Sequence, residues 1–345
     1  MGGSERPPYP PGARRAPGDP GRSSIDAQAT CRTNPGRSWI DGVLARLERE
    51  RVFKWLPFVP VQGLFALLLL PNALLLVYLS FLSWRITRGA WWNAPFTGLD
   101  SFLGALGDER FLWAVGRTFG FAAVAVPLEL LLGFGLALLC REPFRGRRIY
   151  TTVFLLPMMI VPAVVGYDLS MLLIDQGPFN QVLSVLAGRP ITVRWLSDYT
   201  AAKLAVIGAD VWQWTALTFL VFVSGLAGLP RDPIRAARVM GANRWQIFWH
   251  VELPLLKPVI AIAVVLRSME ALKIFDYPML LTQGGPGNST ETIAVYLWRM
   301  GWEFARVSDA AAMSLILLVV VSVYIFIAIR VLRRERRRLA EEAAP

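Results

Sequence analysis

One long apolar stretch carries four ionisable residues three positions apart, Arg267, Glu270, Lys273 and Asp276. On a helix each is a surface neighbour of the next, so opposite charges would neutralise one another in a structural ladder of ion pairs. Ionisable groups are costly inside a bilayer, however, and normally face a charged partner or a wet cavity. The four residues are therefore also candidates for a polar passage, and both interpretations are open.

Six apolar runs would position these residues, and each is long enough for the roughly 20 helical residues that cross a bilayer. The runs lie near 57–82, 112–140, 150–174, 204–229, 258–282 and 310–332. The chain is 54% hydrophobic and has 13 Trp among 345 residues, far above the usual soluble composition. We therefore predict an all-α polytopic membrane protein with six transmembrane helices. Prolines inside several runs predict kinks, at Pro71, Pro127, Pro157 and Pro162.

The distribution of Lys and Arg predicts the orientation in the membrane. With the N-terminus in the cytoplasm, 25 of these residues fall on the inner side of the runs and nine on the outer side. An excess of positive charge on the inner side is the general rule for such proteins. We therefore expect both termini in the cytoplasm, together with residues 229–258, which we name the polar segment.

The formal net charge of +11 is explained by this topology rather than by nucleic-acid binding, because the arginines cluster beside the apolar runs. Residues 1–54 are rich in Pro, Gly, Arg and Ser, which predicts a disordered basic tail. Its end, 38–54, fits an amphipathic helix on the membrane surface and a solvated linker equally well. Residues 55–332 would form the transmembrane domain, and residues 333–345 a charged cytoplasmic tail.

The residue types predict neither catalysis nor a metal site. The two cysteines, Cys31 and Cys140, form no CxxC or Cys/His pattern, and a disulfide is not expected on the cytoplasmic side. The single histidine, His250, belongs to no triad pattern and is interpreted as a packing or interfacial residue. The chain also lacks a GxxxxGK(S/T) phosphate loop, so any ATP hydrolysis must take place on another chain. We predict a protein that is not an enzyme and has no cofactor of its own.

The polar segment reads LPRDPIRAARVMGANRWQIFWHVELPLLKP, which is too polar for lipid and too regular for a slack loop. Two prolines, with Asp232 as the cap, predict the start of a short helix. Gly241 permits a tight turn, and a second helix that carries Trp245 is predicted to end at Leu253 and Pro254. Two short helices at an angle would form a compact knob. The alternative is an amphipathic segment among the lipid headgroups.

The spacing inside the polar segment resembles the EAA motif of permease subunits of ATP-binding-cassette (ABC) importers. The match consists of Ala236 and Ala237, three further residues, Gly241, and about a dozen residues to Leu253 and Pro254. In that family the equivalent stretch forms the coupling helices, which sit in a groove of the partner ATPase. The resemblance therefore implies that the polar segment is a docking element.

A second stretch resembles the region after the fifth core span in the carbohydrate-uptake branch of that family, which includes maltose and glycerol-phosphate permeases. It begins at Phe275 and Asp276 and continues from Leu281 as LTQGGPGNSTE. The resemblance covers roughly residues 55–332 and implies the type I importer permease fold. It also implies a location in the plasma (inner) membrane of a prokaryote.

The resemblance implies roles for three groups of residues. Those that would couple to the ATPase are Arg235, Ala236, Ala237, Gly241, Ala242, Trp245, Leu253 and Pro254. Those at the positions where maltose-type permeases contact the sugar are Asp210, Gln213, Trp214, Leu217, Leu266, Met269, Glu270, Lys273 and Asp276. Those in the outer loop, where a solute-binding protein docks in this family, are Gly284, Gly285, Pro286 and Gly287.

The implied assembly contains a second homologous permease, a dimer of a cassette ATPase that holds ATP and Mg²⁺, an external solute-binding protein and membrane lipid. It would import a sugar, polyol or glycerol-type solute by alternating access. Arg235 departs from the pattern, since the family usually has Glu there, and Met240 stands where Asp is frequent. We therefore expect an ATPase with a compensating acidic residue, or one that docks through apolar contacts.

Two alternatives from other classes are open on the residues alone. One is a secondary transporter driven by an ion gradient, although the halves of the chain show no inverted repeat. The other is a non-transporting membrane scaffold or sensor whose polar segment binds a signalling partner.

Overall fold

The computed structural model describes residues 58–142 and 144–342, and the regular elements within them are helices and helical turns. The helices are α1 (Phe58–Ser80), α2 (Asp100–Leu106), α3 (Glu109–Leu139), α4 (Arg147–Met159), α5 (Pro162–Leu172), α6 (Pro178–Ala187), α7 (Tyr199–Ala227), α8 (Arg231–Val239), α9 (Arg244–Ala271), α10 (Asp276–Thr282), α11 (Ile293–Trp298) and α12 (Val307–Glu342). The predicted tail 1–54, with its amphipathic helix and Cys31, lies outside the described residues. The all-α prediction is confirmed for the part of the chain that is described.

Five of these helices are long and apolar enough to cross a membrane, and they are α1, α3, α7, α9 and α12. Helices α4 and α5 pass the same test together, but their axes bend by 91° at a short break. Counting the bent pair as one span, the prediction of six spans is confirmed. The third predicted span is nevertheless two helices, because Pro162 has no N–H to continue α4 and instead begins α5.

The chain divides into two compact units, Met1–Leu70 and Pro71–Pro345. Of the first unit the structure describes residues 58–70, which belong to the apolar helix α1, and the side chains of residues 59–70 are exposed. The core of the second unit is built where α3, α7 and α9 meet, around Phe219 and Phe222. The long helices expose many apolar side chains, as helices that face lipid do.

Close packing of α3 against α7 depends on Gly133. A Cβ atom at this position would lie 2.1 Å from Thr218 Oγ1 and 2.7 Å from the backbone nitrogen of Phe219. The Thr218 hydroxyl in turn donates a hydrogen bond to the carbonyl oxygen of Glu129, at 2.8 Å. The two backbones therefore touch at the level of Glu129, which fixes the position of this side chain between the helices.

The predicted end of the second helix of the polar segment at Leu253 and Pro254 is wrong. The chain passes through a π-helical turn, Phe248–Glu252, and continues as a helix to Ala271. In this turn the Leu253 N–H bonds to the Phe248 carbonyl, five residues back. Pro254 then stands in the first turn of the next α-helical section, where a missing N–H costs little.

The fifth predicted span, 258–282, is also interrupted. Helix α9 ends at Ala271, and α10 begins at Asp276 after a short non-helical connection. The predicted ladder of four charged residues therefore cannot run along one helix, because Lys273 and Asp276 both lie beyond the end of α9.

Candidate functional site

A cluster of three charged side chains lies buried where α3, α7 and α9 meet. Arg267 on α9 is 1% exposed. Its Nε and Nη2 donate hydrogen bonds to the carboxylate of Glu129 on α3, with Nη2 2.8 Å from Oε1, and Nη2 also donates to Asp210 on α7. We name these three residues the buried triad. Two carboxylates share one guanidinium, so the triad joins three helices and carries a formal charge of −1.

The buried triad corrects the ladder hypothesis for Arg267. Its side chain turns into the bundle, where Glu129 and Asp210 neutralise it, instead of pairing with Glu270 along the helix surface. A guanidinium with its donors arranged as a fork can serve two carboxylates at once, which a single neighbour three residues away would not require. Of the predicted ladder, one pair forms: Lys273 Nζ lies 2.9 Å from Glu270 Oε1.

A cleft of about 140 Å³ adjoins the buried triad. Its lining residues are Pro162, Asp210, Trp214, Glu270, Lys273, Ile274, Phe275, Asp276 and Tyr277. Asp210 belongs to both the cleft and the triad, and the guanidinium of Arg267 also lies 5.1 Å from the centre of the indole ring of Trp214. This distance is within the range of a cation–π contact, which holds the ring at the cleft wall.

The structure brings five of the nine predicted pathway residues to the cleft, namely Asp210, Trp214, Glu270, Lys273 and Asp276. The break between α9 and α10 is what turns Asp276 toward the other four. The remaining predicted residues, Gln213, Leu217, Leu266 and Met269, do not line it. That any of these residues contacts a solute stays a prediction.

Gln213 instead supports the cleft from behind. This buried side chain donates from Nε2 to the carbonyl oxygen of Ile160 at 2.6 Å, at the break between α4 and α5. It also accepts a hydrogen bond from the Tyr277 hydroxyl. A carbonyl left free by a broken helix is thereby satisfied, which allows the break to exist inside the bundle.

Of the two short helices predicted for the polar segment, the first forms as α8, and Gly241 lies in the turn after it at φ +86°; the second is the start of the long helix α9. The prediction that Asp232 caps the first helix is wrong. Pro230 is the N-cap and makes no side-chain hydrogen bond, while Asp232 lies exposed in the first turn. The second helix has the true cap, Asn243, whose side chain and that of Gln246 form a reciprocal capping box. The sequence pattern Asn-x-x-Gln carried this signal.

Large apolar side chains of the polar segment are exposed. Val239 is 89% exposed, Met240 81% and Trp245 69%. Trp245 and Trp249 pack ring to ring, with centroids 5.5 Å apart. Arg235, whose charge departs from the motif, is 70% exposed and lies 4.0 Å from Asp232. The segment therefore presents an apolar and basic surface to whatever surrounds it.

An ion pair that sequence reasoning missed fastens the polar segment to the end of α3. Glu252 is buried, and its carboxylate accepts two hydrogen bonds from Arg141, with Nη1 2.5 Å from Oε2. Arg141 follows directly on Cys140, the C-cap of α3. A bidentate pair of this kind holds both position and orientation. Movement of the polar segment is thereby linked to the helix that carries Glu129.

A second buried carboxylate, Glu291, lies in the loop between α10 and α11 and was also missed. Arg110 donates from Nε and Nη2 to its two oxygens at 2.8 and 2.7 Å, and Arg299 Nη1 lies 2.6 Å from Oε1. Arg117 Nη2 is 3.6 Å from Oε2, and its Nε donates to the Glu291 carbonyl at 2.9 Å. We name these four residues the Glu291 cluster. Three cations around one carboxylate leave a formal charge of +2.

The Glu291 cluster is bonded to the glycine-rich loop that contains Gly284, Gly285, Pro286 and Gly287. Gly284 and Gly287 adopt φ values of +77° and +55°, as the turns require. Arg299 Nη2 donates to the carbonyl oxygen of Gln283 at 2.5 Å. Near the same cluster, burial raises the pKa of the Tyr296 hydroxyl, which therefore remains a donor to Asp108. Whether this loop docks a binding protein stays a prediction.

Comparison with known proteins identifies the class. Residues 129–339 match the family described as "Binding-protein-dependent transport system inner membrane component", and the chain belongs to this family. It is a permease subunit of a binding-protein-dependent ABC importer and a multi-pass membrane protein. Among the described residues no group of His, Cys, Asp or Glu is arranged to hold a metal ion.

Individual relatives carry more specific names. The trehalose/maltose transport system permease protein MalF of Thermococcus litoralis is 33% identical over 247 residues, which are 70% of this chain and 81% of that protein. The sulfoquinovosyl glycerol transport system permease protein SmoG of Agrobacterium fabrum is 30% identical over 269 residues, 78% of this chain and 86% of that protein. A crystal structure of a bacterial ABC transporter that imports alginate matches with a TM-score of 0.72 at 23% identity, covering 86% of this chain and 99% of that one. The last match confirms the type I permease fold.

Proposed function

We propose that this chain forms half of the passage for a sugar, polyol or glycerol-type solute, and that the cleft between α5, α7 and the α9–α10 connection is where it contacts that solute. The cleft is the observation that carries the proposal, because it combines carboxylates, an ammonium group and an indole ring. Such a mixture suits hydroxyl groups and the C–H face of a carbohydrate. The names of the relatives, trehalose/maltose and sulfoquinovosyl glycerol permeases, support the same class.

The proposed assembly contains a second homologous permease, a cassette ATPase dimer that holds ATP and Mg²⁺, and an external binding protein. The exposed side chains of Val239, Met240 and Trp245 support docking of the polar segment on the ATPase, since an apolar surface of this kind requires a partner. The excess of Lys and Arg supports an orientation with both termini in the cytoplasm. The polar segment then lies on the side where ATP is available.

Transport proceeds by alternating access in this proposal. Closure of the ATPase dimer on ATP moves the polar segment as a rigid lever, and the pair Arg141–Glu252 passes the movement to α3. The buried triad, which joins α3 to α7 and α9, carries it to the walls of the cleft. ATP shifts the equilibrium only because it binds the two conformations with different affinity.

Reconstitution tests the proposed function directly. The chain is co-expressed with the second permease, ATPase and binding protein encoded beside it and placed in proteoliposomes, and uptake of labelled disaccharide, polyol, glycerol and glycerol phosphate is measured. Uptake of one of these that requires both ATP and the binding protein is the expected result. Uptake driven by an ion gradient without ATP would instead show that the protein is a secondary transporter. Binding of a protein partner without ATP and without any uptake would show that it is a scaffold.

Substitution of the cleft residues separates a solute contact from a structural pair. For Glu270→Gln and Lys273→Met we expect uptake to fall by about 5- to 100-fold while the complex still assembles, because each buried hydrogen bond lost to the solute costs about 1–3 kcal/mol. Both residues are partly exposed in the free cleft, so folding should tolerate the changes. Ile262→Ala, on α9 but outside the cleft and with no predicted role, is the control. If the complex does not assemble with either variant, the pair Glu270–Lys273 has a structural role instead.

Charge reversal at Arg235 tests the docking surface. If the ATPase carries a compensating acidic residue, Arg235→Glu should weaken its binding by about tenfold or more, because like charges at an interface repel. The expected readout is loss of the ATPase during affinity purification of the permease in moderate salt. Arg189→Glu, at an exposed position in a predicted outer loop, applies the same change in net charge and should have no effect. Unchanged assembly and transport in Arg235→Glu would rule out charge compensation.

Loss of the Arg141–Glu252 pair should uncouple hydrolysis from transport. In Glu252→Gln we expect ATPase activity to persist and solute uptake per ATP to fall several-fold, because the polar segment loses its charged bond to α3. Both rates are measured in the same proteoliposomes. Glu142→Gln, which removes an exposed partner 3.4 Å from Arg244, is the matched control. Equal losses of uptake and hydrolysis would place Glu252 in assembly rather than in transmission.

A further inference from the structure

We infer that the cleft excludes acidic solutes, so that the solute is a carbohydrate or polyol without a carboxylate, sulfonate or phosphate group; this rests on the proposed role of the cleft as the solute site. The relatives do not decide the matter. One is named for trehalose and maltose, another for a sulfoquinovosyl compound, and the matching crystal structure belongs to an importer of an acidic polysaccharide. The charges in this chain's own cleft indicate which class of solute it accepts.

Carboxylates outnumber cations in the cleft and the triad behind it. The four carboxylates belong to Glu129, Asp210, Glu270 and Asp276, and the two cations to Arg267 and Lys273. The formal surplus is therefore two negative charges.

Arg267 is not available to an anion. Its Nε and Nη2 are bonded to Glu129 and Asp210, and the residue is 1% exposed. The guanidinium also lies 5.1 Å from the centre of the Trp214 ring, which lines the cleft. An acidic solute could bond to Nε or Nη2 of Arg267 only by displacing a buried carboxylate, which would leave that carboxylate unpaired at high cost.

Lys273 is already paired, and Asp276 has no cation beside it. The ammonium group of Lys273 lies 2.9 Å from Glu270. Within the described part of the chain no ion pair is formed by Asp276, although it lines the cleft. An incoming anion would meet an uncompensated carboxylate and one ammonium group that another carboxylate shares, and like charges repel one another at short range.

A neutral polyhydroxyl solute meets favourable groups in the same place. Ionised carboxylates accept hydrogen bonds from hydroxyl groups and make short, strong bonds with them. The indole ring of Trp214 offers an apolar face to the C–H surface of a sugar ring. The surplus of carboxylate acceptors therefore fits a solute rich in hydroxyl donors, and it also admits a cationic amino sugar.

The sign of the potential in the cleft can be measured without knowing the solute. A Phe275→Cys variant is made in a background of Cys31→Ser and Cys140→Ala, and the assembled importer is treated with three methanethiosulfonate reagents. They carry an uncharged methyl, a cationic trimethylammonioethyl and an anionic sulfonatoethyl group. We expect the cation to react faster than the anion by about tenfold or more, relative to their ratio with a small free thiol, since the surplus charge acts at short range.

Neutralising variants provide the control for this ratio. Asp276→Asn and Glu270→Gln in the same background should each lower it several-fold, while Ile262→Ala, at an exposed position of α9 outside the cleft, should leave it unchanged. Any shift in the ionisation of the thiol cancels, because all reagents attack the same thiolate. If Phe275→Cys does not assemble, Pro162→Cys places the thiol on another part of the cleft wall.

Each outcome of this experiment either supports the inference or overturns it. A ratio at or below that of the free thiol would overturn the inference, as would a ratio that Asp276→Asn and Glu270→Gln do not change. A cysteine that reacts with none of the three reagents would show that no wet cleft exists and would also overturn it. A preference for the cation in an importer that takes up no carbohydrate would leave the electrostatic finding intact and reject the proposed function instead.

Discussion

Replacing Arg267 by methionine is expected to destabilise the protein so far that little of it accumulates folded in the membrane. The substitution leaves Glu129 and Asp210 buried without their cation, and breaking a buried ion pair by removing one partner costs about 3–5 kcal/mol. That is a large part of the roughly 5–15 kcal/mol that stabilises a typical protein. The loss should be visible as a lowered melting temperature of the detergent-solubilised chain and as a smaller monodisperse peak in size-exclusion chromatography.

A neutral version of the triad distinguishes the charge effect from a packing effect. In Arg267→Met/Glu129→Gln/Asp210→Asn no unpaired charge remains and the side-chain volumes are similar, so most of the lost stability should return. Transport need not return with it, because Trp214 loses the cation that holds its ring. A triple variant as unstable as Arg267→Met would show that packing at this position, rather than charge, is what the bundle requires. An Arg267→Met protein of normal stability would contradict the structural role of the triad itself.

The number of spans was predictable because hydrophobic length is a one-dimensional property of the chain. Each of the six runs corresponds to a long apolar helix or to the bent pair α4–α5. The kink at Pro162 was predictable from the proline, but the partner that a full break requires was not. The carbonyl of Ile160 is satisfied by Gln213, more than 50 residues away in sequence. Periodicity within a window cannot contain such a partner.

The candidate cleft was found in part. Five residues that the motif comparison selected do lie together, but the ladder hypothesis placed Arg267 on the wrong side of its helix. The missing residue was Glu129, which stands alone in an apolar run. A single carboxylate in such a run needs a partner, because an unpaired buried charge is costly. This requirement alone would have indicated a cation in another apolar run, such as Arg267 or Lys273.

The Glu291 cluster was missed for a different reason. Arg110, Arg117 and Arg299 were counted as outer charges for topology, and Glu291 was merely the last residue of a loop motif. Glu291 and Arg299 are eight residues apart, but Arg110 and Arg117 come from α3, 181 and 174 residues before Glu291. Loop residues have no period that indicates burial, so their partners emerge only with the three-dimensional arrangement.

Neutralising Glu291 is therefore expected to have the second large effect. Glu291→Gln keeps the size of the side chain but leaves Arg110, Arg117 and Arg299 to repel one another around a neutral amide, with Arg117 and Arg299 only 19% and 16% exposed. Loss of the shared carboxylate should cost about 3–5 kcal/mol and release the loop that it holds. Thermal melting of the solubilised chain and limited proteolysis between residues 283 and 292 measure the two effects.

A matched carboxylate nearby separates the cluster from general surface charge. Glu303 lies 3.5 Å from Arg299 but is 42% exposed, so Glu303→Gln should change the melting temperature little. Pairing Glu291→Gln with Arg110→Met should recover part of the loss, because it removes one of the repelling cations. If Glu291→Gln has a normal melting temperature but the binding protein no longer stimulates ATP hydrolysis by the assembled importer, the cluster shapes a docking surface rather than the fold. If both stability and stimulation persist, the three arginines are held apart by solvent and the buried carboxylate is not the centre of the loop.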